Sequence, residues 1–220
     1  MTQLEIELQL LKKEVINMWS LVQSQLVKAR ISMLEFDKDL SREIVLKERR
    51  VNGSELKIDR DCENIFALLT PVAVDLRFVL AVLKINSNLE RIGDIAEGIA
   101  KYILSAESSF KKELLEATFV MEMFDQSVSI LDDTLSAFEN EDTILARQVF
   151  KKDEFLDGIN LKANVLIEGY LQKHPEDIDQ ALYILSIIRK LERVGDQSKN
   201  ISEEIIFYLE AKVLKHKHYH

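Results

Sequence analysis

Glu90-Arg91-Ile92-Gly93-Asp94 and Glu192-Arg193-Val194-Gly195-Asp196 place the same chemistry at two points of one chain. In each, two carboxylates stand four residues apart, which on an α-helix is a single face. Oxygen donors grouped on one face suit a hard cation. Clustered carboxylates repel one another unless a cation or an arginine neutralises them. Arg91 and Arg193, inside the motif, offer the second solution, so an ordinary ion-paired surface stands beside the metal reading. The offset is a constant 102 residues, from Glu90 to Glu192 and from Asp94 to Asp196, so the chain reads as one unit used twice. Gly93 and Gly195 recur with it. Glycine inside a helix costs about 1 kcal/mol relative to alanine, so its recurrence marks a close approach between helices.

The elements that must carry these motifs are helical. Leu4, Leu8, Leu11, Val15, Met18, Val22 and Leu26 step by three and four, and Thr2 with Glu5 reads as a capping box at the start. This first helix runs to about Leu34 and a second from about Asp37 to Leu69, with a possible bend at Asn52-Gly53-Ser54. Thr70-Pro71 is the clearest boundary. Thr70 reads as the N-cap and Pro71 as the first residue of a third helix reaching about Leu104. The second half repeats the plan, with helices expected over Phe110–Phe138, Glu141–Leu171 and Pro175–Val213. The fold class is therefore all-α, two tandem three-helix bundles of six long helices joined by short, antiparallel connections. We set the repeats at residues 1–107 and 108–213, with 214–220 as a frayed tail whose three histidines are better read as disorder than as a metal site.

Hairpin geometry then sets partners for the motif. Residues equally distant from Thr70-Pro71 lie opposite one another, which brings Glu48 to Gly93 and Asn52 to Leu89. About His174-Pro175 the same counting sets Asp153 against Asp196 and Asp157 against Glu192. Glu55 and Asp59 extend the first group along its helix; Asn200 and Glu203 extend the second.

Composition excludes several classes. The formal charge is −9, from 38 acidic and 29 basic residues, so nucleic acid or an anionic membrane is a poor direct partner. No apolar run is long enough to cross a membrane and no secretory leader is expected. Cys62 stands alone and reads as a small packing residue, in keeping with a reducing cytoplasm. There is no glycine-rich phosphate loop and no nucleophile with a base, so we expect no enzyme activity.

Leu89-Glu90-Arg91-Ile92-Gly93-Asp94 and Leu191-Glu192-Arg193-Val194-Gly195-Asp196, with Val51-Asn52, Ile58-Asp59, Pro71-Val72-Ala73, Asp75-Leu76-Arg77, Asn200-Ile201 and Glu203, resemble the PhoU family of cytoplasmic regulators of bacterial phosphate import. The resemblance covers nearly the whole chain. It implies a surface metal cluster on each repeat, iron or zinc, with Glu90, Asp94, Glu48 and Asp59 in the first and Glu192, Asp196, Asp153, Asp157, Asn200 and Glu203 in the second. It implies contact with the ATPase subunit of the phosphate ABC transporter and with the sensor histidine kinase of the phosphate regulon, and so negative regulation of uptake and starvation signalling. A homodimer is expected, since long amphipathic bundles often pair. In the first repeat Glu48 stands where the family usually has Asp, Gly98 replaces Asn, and Lys101 takes the position equivalent to Glu203. Arg49 and Arg50 follow Glu48 directly and, with Lys101, are expected to neutralise part of that patch, leaving the second site the fuller one; Glu97 compensates in part.

Two other functions compete. A di-iron carboxylate enzyme needs Glu-x-x-His from facing helices, and no histidine precedes His174. A metal-free helical adaptor would carry the acidic patches only as solvated faces.

Overall fold

The computed structural model describes residues 1–214; the tail histidines lie outside the described residues. The described residues form α1 (Gln3–Glu35), α2 (Lys38–Leu69), α3 (Ala73–Ser105), α4 (Lys112–Thr118), α5 (Val120–Asn140), α6 (Thr143–Leu171), a 3₁₀ turn (Pro175–Asp177) and α7 (Ile178–Glu210). Six of these are long, and the hairpin connections are short, as the periodicity requires. Thr2 and Glu5 form the capping box: Thr2 Oγ1 accepts from Glu5 N at 3.2 Å, and Thr2 N donates to Glu5 Oε2 at 2.8 Å. Asp37 and Asp142 cap α2 and α6, each accepting two backbone N–H bonds on Oδ1.

Three details differ from expectation. Thr70 is not an N-cap: it closes α2 in the left-handed region (φ 44°), and α3 begins only at Ala73. The following Pro71 disfavours a helical conformation at Thr70, so the chain turns before it can cap. The helix expected over Phe110–Phe138 is broken, because Phe119 adopts φ 55° between α4 and α5. Thr118 Oγ1 donates back to Leu114 O at 2.7 Å, satisfying a carbonyl where the ladder stops. At Asn52-Gly53-Ser54, α2 continues without interruption.

Each repeat packs its three long helices on one another, and α3 and α7 join the halves. The two run antiparallel: Arg77 Nε donates to Tyr208 O at 3.2 Å, Lys84 Nζ meets Glu204 Oε2 at 2.9 Å, and Tyr102 lies 5.8 Å from Tyr183. Their shared core holds Trp19, Phe78, Phe138 and Tyr208 in contact, drawn from α1, α3, α5 and α7. Arg30 Nε pairs with Asp125 Oδ1 at 2.6 Å and adds a polar tie between the halves.

Candidate functional site

In both repeats the motif glycine is where a buried carboxylate touches the motif helix. Glu48, on α2, is 4% exposed, and a Cβ at Gly93 would lie 3.1 Å from each of its carboxylate oxygens. Asp153, on α6, is 1% exposed, and a Cβ at Gly195 would collide with its Oδ1. The glycines are thus required by close approach, and the approaching group is the carboxylate. Hairpin counting gave the Glu48–Gly93 contact directly and missed the second by one residue, since Asp153 faces Gly195 rather than Asp196.

Glu90 is half-buried and Asp94 exposed on α3; Glu192 and Asp196 are half-buried on α7. Burial, then the neighbouring carboxylates, raise the pKa of Glu90 and of Glu192 above the ordinary range. Burial raises Glu55 likewise, followed by the charges of Asp59 and Asp94. Asp59 accepts from Asn86 Nδ2 at 2.9 Å. Asp157 is exposed. Asn200 donates across to Asn88 of α3 at 3.4 Å. Glu203 lies farther along α7, beside a small cavity with Lys84 and Phe207. Asp153, Asp157, Glu192 and Asp196 therefore form the compact part of the second group, the three aspartates each raising the pKa of Glu192 through its charge.

The two sites differ in what neutralises them. Gln25, from α1, donates to Glu48 Oε2 at 2.8 Å, and Glu48 Oε1 has no hydrogen-bond partner. Burial pushes the Glu48 carboxyl up to about 7, the Gln25 bond opposes this, and the charges of Asp94, Glu97 and Glu90 add to it. In the second repeat Lys199 Nζ sits 2.5 Å from Asp153 Oδ2 and 3.2 Å from Asp196 Oδ1. Burial still pushes Asp153 to about 6, against the pull of Lys199. Burial works against the Lys199 charge, but the bonds and charges of Asp153 and Asp196 together outweigh it and hold the ammonium above its ordinary pKa. Arg49 and Arg50 are exposed, and Lys101 pairs with Glu97 at 2.6 Å rather than with the motif acids. Lys101 thus offsets the charge of Glu97, one acid of the first group. The second site holds an internal cation, Lys199, between Asp153 and Asp196.

Sequence reading missed Lys199, Gln25 and Asn86. Lys199 is three residues beyond Asp196, a spacing that should have flagged it as a partner. Gln25 was a polar residue on the apolar face of α1, 2% exposed between Val22 and Leu26.

Oxygen donors alone line both sites, without histidine or cysteine, which suits hard ions. Glu48 Oε1 and Asp153 Oδ1, buried and unpartnered, are the atoms a cation would satisfy. The motif carboxylates are not drawn into a tight cage. Among the described residues, the three-member group with ligand atoms all within 4.8 Å is His174, Glu176 and Asp177, on the α6–α7 connection. There Asp177 already accepts the Tyr170 hydroxyl at 2.7 Å.

Comparison with known proteins follows the same lines. The PhoU domain family model matches residues 15–103 and again 120–205, once per repeat. The "Phosphate-specific transport system accessory protein PhoU" of Edwardsiella tarda is 33% identical over 214 residues, covering 97% of this chain and 87% of that protein. The protein of the same name from Escherichia coli K12 is 30% identical, covering 97% and 88%. The crystal structure of PhoU from Pseudomonas aeruginosa superposes with a TM-score of 0.90 at 28% identity, over 96% of this chain and all of that one. The phosphate transport system regulatory protein PhoU from Streptococcus pneumoniae gives 0.87 at 31%, over 97% and 100%. Two copies of the domain, the doubled motif and the matching fold agree: this chain belongs to the PhoU family.

Proposed function

We propose that the protein is a non-enzymatic regulator that restrains high-affinity phosphate import and phosphate-starvation signalling by docking on other proteins, with carboxylate-held metal at one or both motif faces. The observation that carries the metal part is the buried, unpartnered carboxylate oxygen under each motif glycine, Glu48 Oε1 and Asp153 Oδ1. A buried acid left so costs stability, and a hard cation would remove the cost. Glu48, Glu90 and Asp94 would hold it in the first repeat, and Asp153, Asp157, Glu192 and Asp196 in the second. The resident ion would supply fixed positive charge on an otherwise acidic surface.

Family membership supports the regulatory part, since relatives are named as accessory proteins of the phosphate-specific transport system. Docking is supported by apolar side chains left in solvent around the α2–α3 connection: Leu68 is 75% exposed and Val72 69%. Among the described residues no helix is long and apolar enough to cross a membrane. The partners are the transporter's ATPase subunit and the sensor kinase.

The deciding experiment titrates the transporter's ATPase subunit with metal-loaded and with resin-stripped protein. Binding that weakens on stripping supports both parts. Equal binding by both forms would remove the metal from the mechanism, and no binding by either would remove the docking role.

A further inference from the structure

The two copies of the repeated motif bring their arginines to one place. Glu90, Glu192 and Asp196 stay off the seam where α3 crosses α7, while Arg91 and Arg193 both reach it, with Asp94 at its edge. There they line one cavity of about 330 Å³, together with Lys190 and Lys101. Two residues 102 apart in sequence thus meet at one site because the helices that carry them pack antiparallel.

The charges around this cavity do not balance. Lys101 is taken by Glu97 at 2.6 Å. Arg91, Arg193 and Lys190 form no hydrogen bond or ion pair among the described residues. Lys190 has only the ring of Tyr102, 5.7 Å from its Nζ. One carboxylate, Asp94, is left to face three cations, in a chain of formal charge −9. Lys190 also crosses the space that a side chain at position 98 would fill, for its Nζ would lie 2.5 Å from a Cβ on Gly98. Exposed lysines and arginines normally spread into solvent or pair with acids; here they converge on a cleft floored by the buried Ile95.

We propose that the α3–α7 seam is a binding site for a small oxyanion of the phosphate class, held by Arg91 and Arg193 from the two repeats with Lys190 as a third donor. The guanidinium fork matches two oxygens of such an anion at once, and the ammonium supplies a point charge. The occupant is either free phosphate or the phosphoryl end of a small phosphorylated molecule.

The test is calorimetric titration of the resin-stripped full chain, in phosphate-free buffer, with inorganic phosphate, pyrophosphate and AMP. Stripping removes any route through bound metal. Saturable binding of one equivalent is expected. Arg91→Gln and Arg193→Gln should each weaken it about tenfold or more, the loss of one charge-assisted contact. Both arginines are exposed, so both variants should keep the helical circular dichroism of the parent. Lys57→Gln, which removes a cation from the α1–α2 groove, should leave affinity unchanged. Tighter binding of phosphate than of AMP supports the site with the free anion as occupant; the reverse order supports it with a phosphorylated molecule. Absence of saturable binding by all three probes, or equal affinity in the parent and both arginine variants, would overturn it. Failure here would leave transporter docking intact, and failure of docking would leave this site intact.

Discussion

Lys199 Nζ bridges Asp153 and Asp196, and the residue at its place in the first repeat is Glu97. One repeat therefore carries a tethered cation where the other carries a further acid. The duplicated sites share a scaffold but not an electrostatic state.

Removing the tether should expose its role. Lys199→Met leaves the 1%-exposed Asp153 without its cation, at a cost of about 3 kcal/mol in metal-stripped protein. If the site accepts a hard ion, added Mn²⁺ should restore much of the loss, and restore more than it adds to the parent. Urea unfolding with and without Mn²⁺ measures both; a loss that Mn²⁺ does not touch would mean Lys199 has only a structural role.

Protonation of Glu48 gives a pH dependence of definite sign. Its carboxyl moves from an ordinary 4.5 to about 7 in the folded chain, so folding favours the neutral acid. The contribution is complete below 4.5 and is lost as pH rises through about 7. Glu48→Gln, which mimics the neutral form, should change little at pH ~5 and raise stability of stripped protein at pH ~8 by about 2–3 kcal/mol. Denaturant melts at the two pH values check it. The same acid must ionise to hold a cation, so metal affinity at the first site should increase over this interval.

Three glycines should respond differently to alanine. At Gly53 nothing lies within 4 Å, so Gly53→Ala should stabilise α2 by about 0.5–1 kcal/mol. At Gly93 the contacts of 3.1 Å to Glu48 and 3.2 Å to Val51 should cancel most of that gain. At Gly195 the new methyl collides with the Asp153 carboxylate and meets Leu156 at 2.8 Å, and should destabilise by about 1–3 kcal/mol. Thermal melts rank the three, and an equal or greater loss at Gly93 than at Gly195 would contradict the geometry.

The helix cap offers a control away from both motifs. Asp142 accepts from Ile144 N and Leu145 N at 2.8 and 3.0 Å, so Asp142→Ala should cost about 1 kcal/mol without altering metal or anion binding.

Much of this was legible in the chain because helical period and hairpin counting are local rules. Glu48 against Gly93 followed from the distance of each to Thr70-Pro71. The second hairpin was misread by one residue because its turn includes the 3₁₀ segment Pro175–Asp177, which changes the register there. A register clue was present: Asp37 and Asp142 cap equivalent helices 105 residues apart, while the motifs recur 102 apart. Contacts that depend on a third helix were not legible. Gln25 reaches Glu48 from α1, and no count about a single turn relates those two helices. Nor does hairpin counting bring Arg91 to Arg193, since they meet across the junction between repeats. Phe119 gave no warning, because a bulky residue with φ 55° is a place where tertiary packing overrides propensity.

The joint between the halves has an optical consequence. The chain has one tryptophan, Trp19, fully buried in the first repeat with its ring 5.8 Å from Phe138 of the second. Its emission therefore reports on a single place, the apolar contact that keeps the repeats together. A red shift would mark the entry of water at that junction, while rearrangement confined to either carboxylate face would leave the colour of the light unchanged. The protein carries its own gauge of whether its two halves have come apart.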